Sequence, residues 1–176
     1  MAIIDGLLAE LEQESQTTAR VLDRIPQAHL SWKPHPKSMS LGQLALHVAT
    51  VPGNVAELVS VDIVPEPPQF IQPEAATAAE LVPALKASVA KARQHLGGFD
   101  DARMAATWRL LMNGQEVMAM PRVAFVRAIM LNHWYHHRGQ LLVYLRLLNL
   151  SVPSVYGPTA DENPFAAAAA ATPAAR

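Results

Sequence analysis

The sequence predicts an all-α fold, a four-helix bundle carrying one small β-hairpin, and three observations support it. Four segments repeat apolar residues at helical spacing, proline-rich stretches separate several of them, and one Asn-Gly pair interrupts a loosely alternating run just before the last and longest segment. A chain of 176 residues, 51% hydrophobic and 16% charged, holds enough apolar material for one domain with a single core.

The first helix is read from Ile4, Leu7, Leu8, Leu11, Val21, Leu22 and Ile25, with Pro26 ending it. The proline-broken stretch "AHLSWKPHPKSMS" follows. Ser40 then has the chemistry of an N-cap for a second helix bearing Leu44, His47, Val48, Val51, Val55 and Leu58 on one face, with Pro52-Gly53 as the place where it would kink. A second proline-rich loop, "VPEPPQFIQP", leads to a third helix, for which Thr77 and Glu80 stand at capping-box spacing, Leu81, Leu85, Val89 and Leu96 form the apolar positions, and Gly97-Gly98 closes the end. In "ATWRLLMNGQEVMAM" the Asn113-Gly114 pair predicts a two-stranded hairpin. Pro121 suits a helix N1 position and opens the fourth helix, from about Arg122 to Asn149. The domain is taken to span residues 1–162, and residues 163–176 form an Ala-rich tail, either a short helix or disordered.

Composition excludes several functions. A formal net charge of -1 with scattered Lys and Arg leaves no basic field for nucleic acid. The absence of cysteine removes disulfides, thiolate ligands and a cysteine nucleophile, so any metal must take nitrogen or oxygen donors. No apolar run approaches the roughly 20 residues that span a bilayer, and the first residues lack a basic leader, so the expected address is the cytoplasm without membrane association.

Against that background "NHWYHHRGQ", residues 132–140, is unusual. Residues four apart on a helix share a face, which stacks His133 above His137 on the side that also carries Met130, Leu141 and Tyr144. His47 lies on the apolar face of the second helix, so the folded bundle can bring a third imidazole to the pair. Three inward histidines from two helices suit a divalent ion with an open position. The competing reading is ordinary: inward histidines also pack against one another or donate to backbone carbonyls, and spacing alone leaves both readings open. His136 projects away from the pair and is expected to support or flank it, and Gln140 falls close enough to the same face to hold a ligand by hydrogen bonding. Arg138 is expected to face outward and pair with the acidic "ADE" of the tail, and Trp134 and Tyr135 to serve packing or a dimer contact. His29, His35 and His95 carry no assigned function.

The combination of "LGQLALHVA", "LNHWYHHRGQLLVYLRLLN" and "VPSVYGPTADE" resembles the DinB family of damage-inducible bacterial proteins, within the larger DinB and YfiT-like superfamily, over nearly the whole chain to about Glu162. The resemblance implies an antiparallel four-helix bundle, a homodimer, and a divalent metal (zinc, nickel or iron) bound by His47, His133 and His137. It also implies a range of activities, since the superfamily includes transferases that use low-molecular-weight thiols as well as metal-dependent isomerases and hydrolases.

Chemistry narrows the range. An H-E-x-x-H metalloprotease needs a glutamate directly after the first helical histidine, where this chain has Trp134. A metal-bound thiol fits better, because a Lewis acid with an open position delivers a thiolate at neutral pH, and without cysteine in the chain that thiol is a separate small molecule. The alternatives are a hydrolase at the same three histidines, for which Glu57, Asp161 and Glu162 are the candidate bases, and a non-catalytic metal-binding stress-response protein. No catalytic residue is assigned. The expected partners are a small-molecule substrate and a second copy of the chain. The segment around Tyr156 and Gly157 is expected to fold back near the metal.

Overall fold

The fold is seen in a computed structural model that describes residues 2–69 and 71–166. It is mostly helical, with a small three-stranded sheet. Helix α1 (Ile3–Leu22) buries Ile4, Leu7, Leu11, Glu14, Thr18 and Val21 in alternating steps of three and four, with Leu22 beside them, and its expected apolar positions Ile4, Leu7, Leu11, Val21 and Leu22 are among them. Helix α2 (Leu41–Ser60) begins as expected at Ser40, whose hydroxyl accepts from the Gln43 amide at 3.1 Å while the Gln43 side chain accepts from the Ser40 amide at 2.9 Å. The helix runs on through Pro52 and Gly53.

The C-terminus of α2 is unusually well satisfied. The last four carbonyls of a helix have no partner within it. Here the Ser60 hydroxyl donates to Glu57 O, the Trp108 indole to Leu58 O, Arg122 Nε to Val59 O, and the Arg103 guanidinium to Ser60 O. Arg122, 1% exposed, also reaches Val61 O and Asp62. The donors come from the unit that follows α3, so α2 is clamped by residues at least 43 positions away, Ser60 apart.

Helix α3 (Leu81–Leu96) starts later than its sequence signals imply. A 3-10 turn (Ala78–Glu80) precedes it, the Glu80 carboxylate accepts from the Ala76 amide at 2.6 Å, and Thr77 makes no capping bond, so the capping box at Thr77 does not form. Gly97 stands at its C-cap. A short helix α4 (Asp101–Ala105), capped by Asp100, was not foreseen. Strands β2 (Thr107–Met112) and β3 (Gln115–Pro121) form the predicted hairpin, and Asn113 and Gly114 take φ values of 52° and 75°, the left-handed pair that a tight two-residue turn requires. The expected two strands become three, because β1 (Ile63–Val64) pairs parallel to β2 through Ile63 and Arg109.

The final helical run is also more complex than one helix. Pro121 ends β3 and stands at the N-cap of α5 (Arg122–Phe125), one place before the predicted N1 position. A π-helical segment (Val126–Asn132) follows, and α6 (His133–Leu147) begins at the first histidine of the motif. Such wide turns inside helices often mark functional sites. The core joins all of these elements: Trp108 of β2 packs on Phe125 at 4.1 Å between ring centroids, and Leu11, Leu44, Val48, Leu85, Met130 and Trp134 are buried. After α6 the chain turns back, Glu162 pairing with Arg20 of α1 and with Arg24 just beyond its end, and Asp161 with Arg146 of α6. The Ala-rich tail lies, from residue 167 onward, outside the described residues. No helix among the described residues is long and apolar enough to cross a membrane.

Gly53 shows how closely α2 and α3 approach. A Cβ there would stand 2.8 Å from Ser88 O and 3.0 Å from Ser88 Cα, while the Gly53 amide donates to the Ser88 hydroxyl at 2.8 Å. Gly53→Ala is expected to destabilise the protein by about 1–3 kcal/mol through overpacking, measured by urea unfolding; wild-type stability would show that the two backbones can part freely.

Candidate metal centre

Two helices build the site. On α2, His47 sits among buried Leu44, Val48 and Val51, and on α6, His133 and His137 stack one turn apart. The fold brings all three rings together: one nitrogen from each lies within 4.8 Å of the other two. Ring centroids are 5.3 Å apart for His47 and His133, 4.6 Å for His47 and His137, and 4.4 Å for His133 and His137. All three are half-buried, so the cluster is neither sealed from solvent nor fully exposed to it.

The donor set suits a divalent ion. His47 Nε2 and His133 Nε2 face each other at 3.1 Å. Two nitrogens that share a tetrahedral ion at about 2.0–2.1 Å each would lie about 3.3–3.4 Å apart, so little movement separates this arrangement from a chelate. His137 Nδ1 is 2.7 Å from Gln140 Oε1, which makes Nδ1 the protonated nitrogen and leaves the Nε2 lone pair free. The Gln140 amide nitrogen in turn donates to His136 Nε2 at 3.1 Å. Gln140 therefore orients a cluster histidine as expected, and His136 stands outside the cluster, exposed and linked to it through Gln140.

Electrostatics keep the rings neutral. Burial lowers the pKa of His47 to about 4, with the neighbouring His137 and His133 adding to the effect. His133 and His137 are lowered as well, first by burial and then by other histidines, against which the bond that His137 donates to Gln140 pulls it upward. Neutral imidazole is the form that binds metals.

The other candidates lie elsewhere. Glu57 is exposed and paired with Lys91, Asp161 binds Arg146 and the Val152 amide, and Glu162 binds Arg20 and Arg24, so among the described residues the cluster contains no carboxylate. His29 and His35 are exposed in the connection before α2, and His95 lies in the last turn of α3.

Arg138 corrects its expected outward orientation. It is 1% exposed, its guanidinium meets Glu14 at 2.6 Å and the Thr18 hydroxyl at 3.0 Å, and it lies over the rings of Tyr135 and Tyr156. A charge can be buried there because α1 supplies an acid and a hydroxyl on the facing stripe. The signal was present in α1: Glu14 and Thr18 occupy positions whose spacing belongs to the core, and an acid on such a stripe calls for a buried cation. The Tyr156 segment does fold back onto the bundle, yet its hydroxyl reaches Arg138 and Glu14 rather than joining the histidine cluster. Trp134 is fully buried and donates its indole N–H to Val48 O at 2.7 Å.

Comparison with known proteins agrees with this description. A model of the DinB family matches residues 3–165. A curated relative, the uncharacterized protein YrdA of Bacillus subtilis, is 25% identical over 166 residues, covering 90% of this chain and 91% of its own. Among solved structures, a DinB-like protein from Bacillus cereus matches with TM-score 0.65 and 25% identity, covering 87% of this chain and 97% of that one. A DinB-like protein from Bacillus subtilis, YjoA, shares the fold at TM-score 0.65 and 22% identity, covering 85% of this chain and 97% of its own.

Two outcomes are expected. Because the histidine pKa values are lower in the folded chain than in the unfolded one, the unfolded chain binds more protons between about pH 6.5 and about pH 4, and the stability of the chelator-treated protein falls as pH drops through that window. Urea unfolding of His47→Gln at several pH values should show a shallower dependence there; superimposable profiles would contradict the assignment. Arg138→Met should cost about 3–5 kcal/mol in the same assay by leaving Glu14 buried without its cation.

Proposed function

We propose, from the premise that this chain belongs to the DinB family, that it holds one divalent metal ion on His47, His133 and His137 and acts as a transferase for a low-molecular-weight thiol. The observation that carries the reading is the cluster itself, three neutral imidazole donors within 4.8 Å of one another with no carboxylate among them. Such a set leaves a coordination position for a ligand from solution, and a divalent ion bound there would supply Lewis acidity, lowering the pKa of a coordinated thiol. Zinc, nickel and iron all suit imidazole donors.

The chain's own residues divide the remaining work. Gln140 holds His137 in the tautomer that presents Nε2, and half-exposure of the cluster lets a small molecule reach it. Hydrolysis at the same site is the weaker reading, because it asks for a carboxylate base beside the histidines, and Glu57, Asp161 and Glu162 are held in ion pairs. A non-catalytic metal-binding protein would favour a fourth protein ligand, and among the described residues the cluster has three. The same reading takes α1, α2, α3 and the run from Arg122 to Leu147 as the four long members of an antiparallel bundle, and a homodimer in the cytoplasm as the working form.

Elemental mass spectrometry of the purified protein is expected to find about one metal per chain, lost in His47→Ala, His133→Ala and His137→Ala, because a two-histidine remnant is a poor chelate. The loaded protein should then speed the addition of small thiols to electrophiles. No metal after reconstitution would end the metal reading; metal without thiol transfer would end the transferase reading alone.

A further inference from the structure

We propose that Trp134 is a positioning residue for the histidine cluster, acting through a backbone carbonyl that Pro52 leaves without a helical partner. The inference rests on the metal reading above and adds to it the device that sets the distance between the two helices carrying the ligands.

Within an α-helix the carbonyl of residue 48 accepts from the amide of residue 52. Residue 52 is proline, which has no N–H, and it lies inside α2. Val48 is fully buried, so water does not readily replace the lost donor, and a buried carbonyl left unpaired is costly. The donor comes from the other helix: Trp134 Nε1 stands 2.7 Å from Val48 O, in a buried contact between residues 86 positions apart.

The place of this bond in the sequence carries the proposal. Val48 directly follows His47, and Trp134 directly follows His133, the two histidines whose Nε2 atoms face each other at 3.1 Å. One short hydrogen bond thus joins the residues adjacent to two ligands, and any drift of α2 against α6 that would part the imidazoles must first stretch it. The other side of α2 is braced at the same level, since the Ser88 hydroxyl of α3 accepts from the Gly53 amide at 2.8 Å and donates to Thr50 O at 3.1 Å. Pro52 therefore supplies a free carbonyl at the point where α2 needs a fixed distance to α6, and Trp134 uses it.

The test compares wild type, Trp134→Phe, Pro52→Ala and the double variant. Zinc affinity is measured by competition with a chromophoric chelator, the absorption spectrum of the cobalt-loaded protein reports ligand geometry, and thermal unfolding is followed in the presence of a chelator. Phenylalanine keeps most of the buried ring and removes the donor. Trp134→Phe is expected to weaken zinc binding by roughly 10–100-fold, the usual range for groups that hold a ligand in place, and to shift the cobalt spectrum. In the Pro52→Ala background residue 52 regains an N–H for Val48 O, so the same replacement should cost less thermal stability yet still weaken zinc binding, because the bond between helices is absent. Unchanged affinity and spectrum in Trp134→Phe would overturn the proposal, as would an affinity that returns together with stability in the double variant, the behaviour of a residue that only satisfies a carbonyl. Failure of the wild type to bind zinc or cobalt would instead overturn the metal reading on which the proposal rests.

Discussion

The carbonyls of α2 are the constraint on which the rest of this structure depends. Pro52 frees one in the middle of the helix, the C-terminus leaves four more, and each receives a donor: Trp134 at Val48, then Ser60, Trp108, Arg122 and Arg103 along Glu57, Leu58, Val59 and Ser60. Unpaired carbonyls inside a protein are costly, so these bonds specify which surfaces may pack against α2 and at what height. The hairpin unit is tied to one end and α6 to the middle. His47 lies between the Ser40 cap and the Trp134 bond.

A second set of polar contacts holds α6 from its other side. Arg138 follows His137 as Trp134 follows His133, and it turns toward α1, where Glu14, Thr18 and Tyr156 meet it. Each of the two cluster histidines of α6, His133 and His137, is thus followed by a residue buried in a different direction, one fixed to α2 and one to α1. A buried ion pair is weak support for stability in itself, since both partners lose hydration. Its effect here is orientation: it leaves α6 little freedom to rotate about its axis, and rotation is the motion that would carry His133 and His137 away from His47. The π-helical segment just before His133 sets the phase at which that face begins.

Half-burial gives the histidines their chemical character. Full burial would close the cluster to small molecules, and full exposure would let each ring take a proton near its ordinary pKa. The observed depth lowers the pKa of all three without burying them fully, which favours the neutral rings, and one nitrogen of each lies within 4.8 Å of the other two. The fold is shared with DinB-like proteins of two Bacillus species.

Much of this was legible in the sequence, because it depends on local rules. The helical repeat placed the core faces of α1 to α3 and stacked His133 above His137, Ser40 marked the start of α2, and Asn113-Gly114 announced a turn that few other pairs make without strain. The apolar face of the second helix made His47 a candidate third member, and the family resemblance mapped it as a ligand. What the sequence could not show were pairings between distant residues: β1 beside β2, the burial of Arg138 opposite Glu14, Arg122 and Trp108 at the end of α2, and the indole of Trp134 on Val48. Local periodicity says which side of a helix faces inward but not which neighbour it meets or at what height. Those are decided only when the whole chain must bury its apolar surface and still find a partner for every polar group it takes inside.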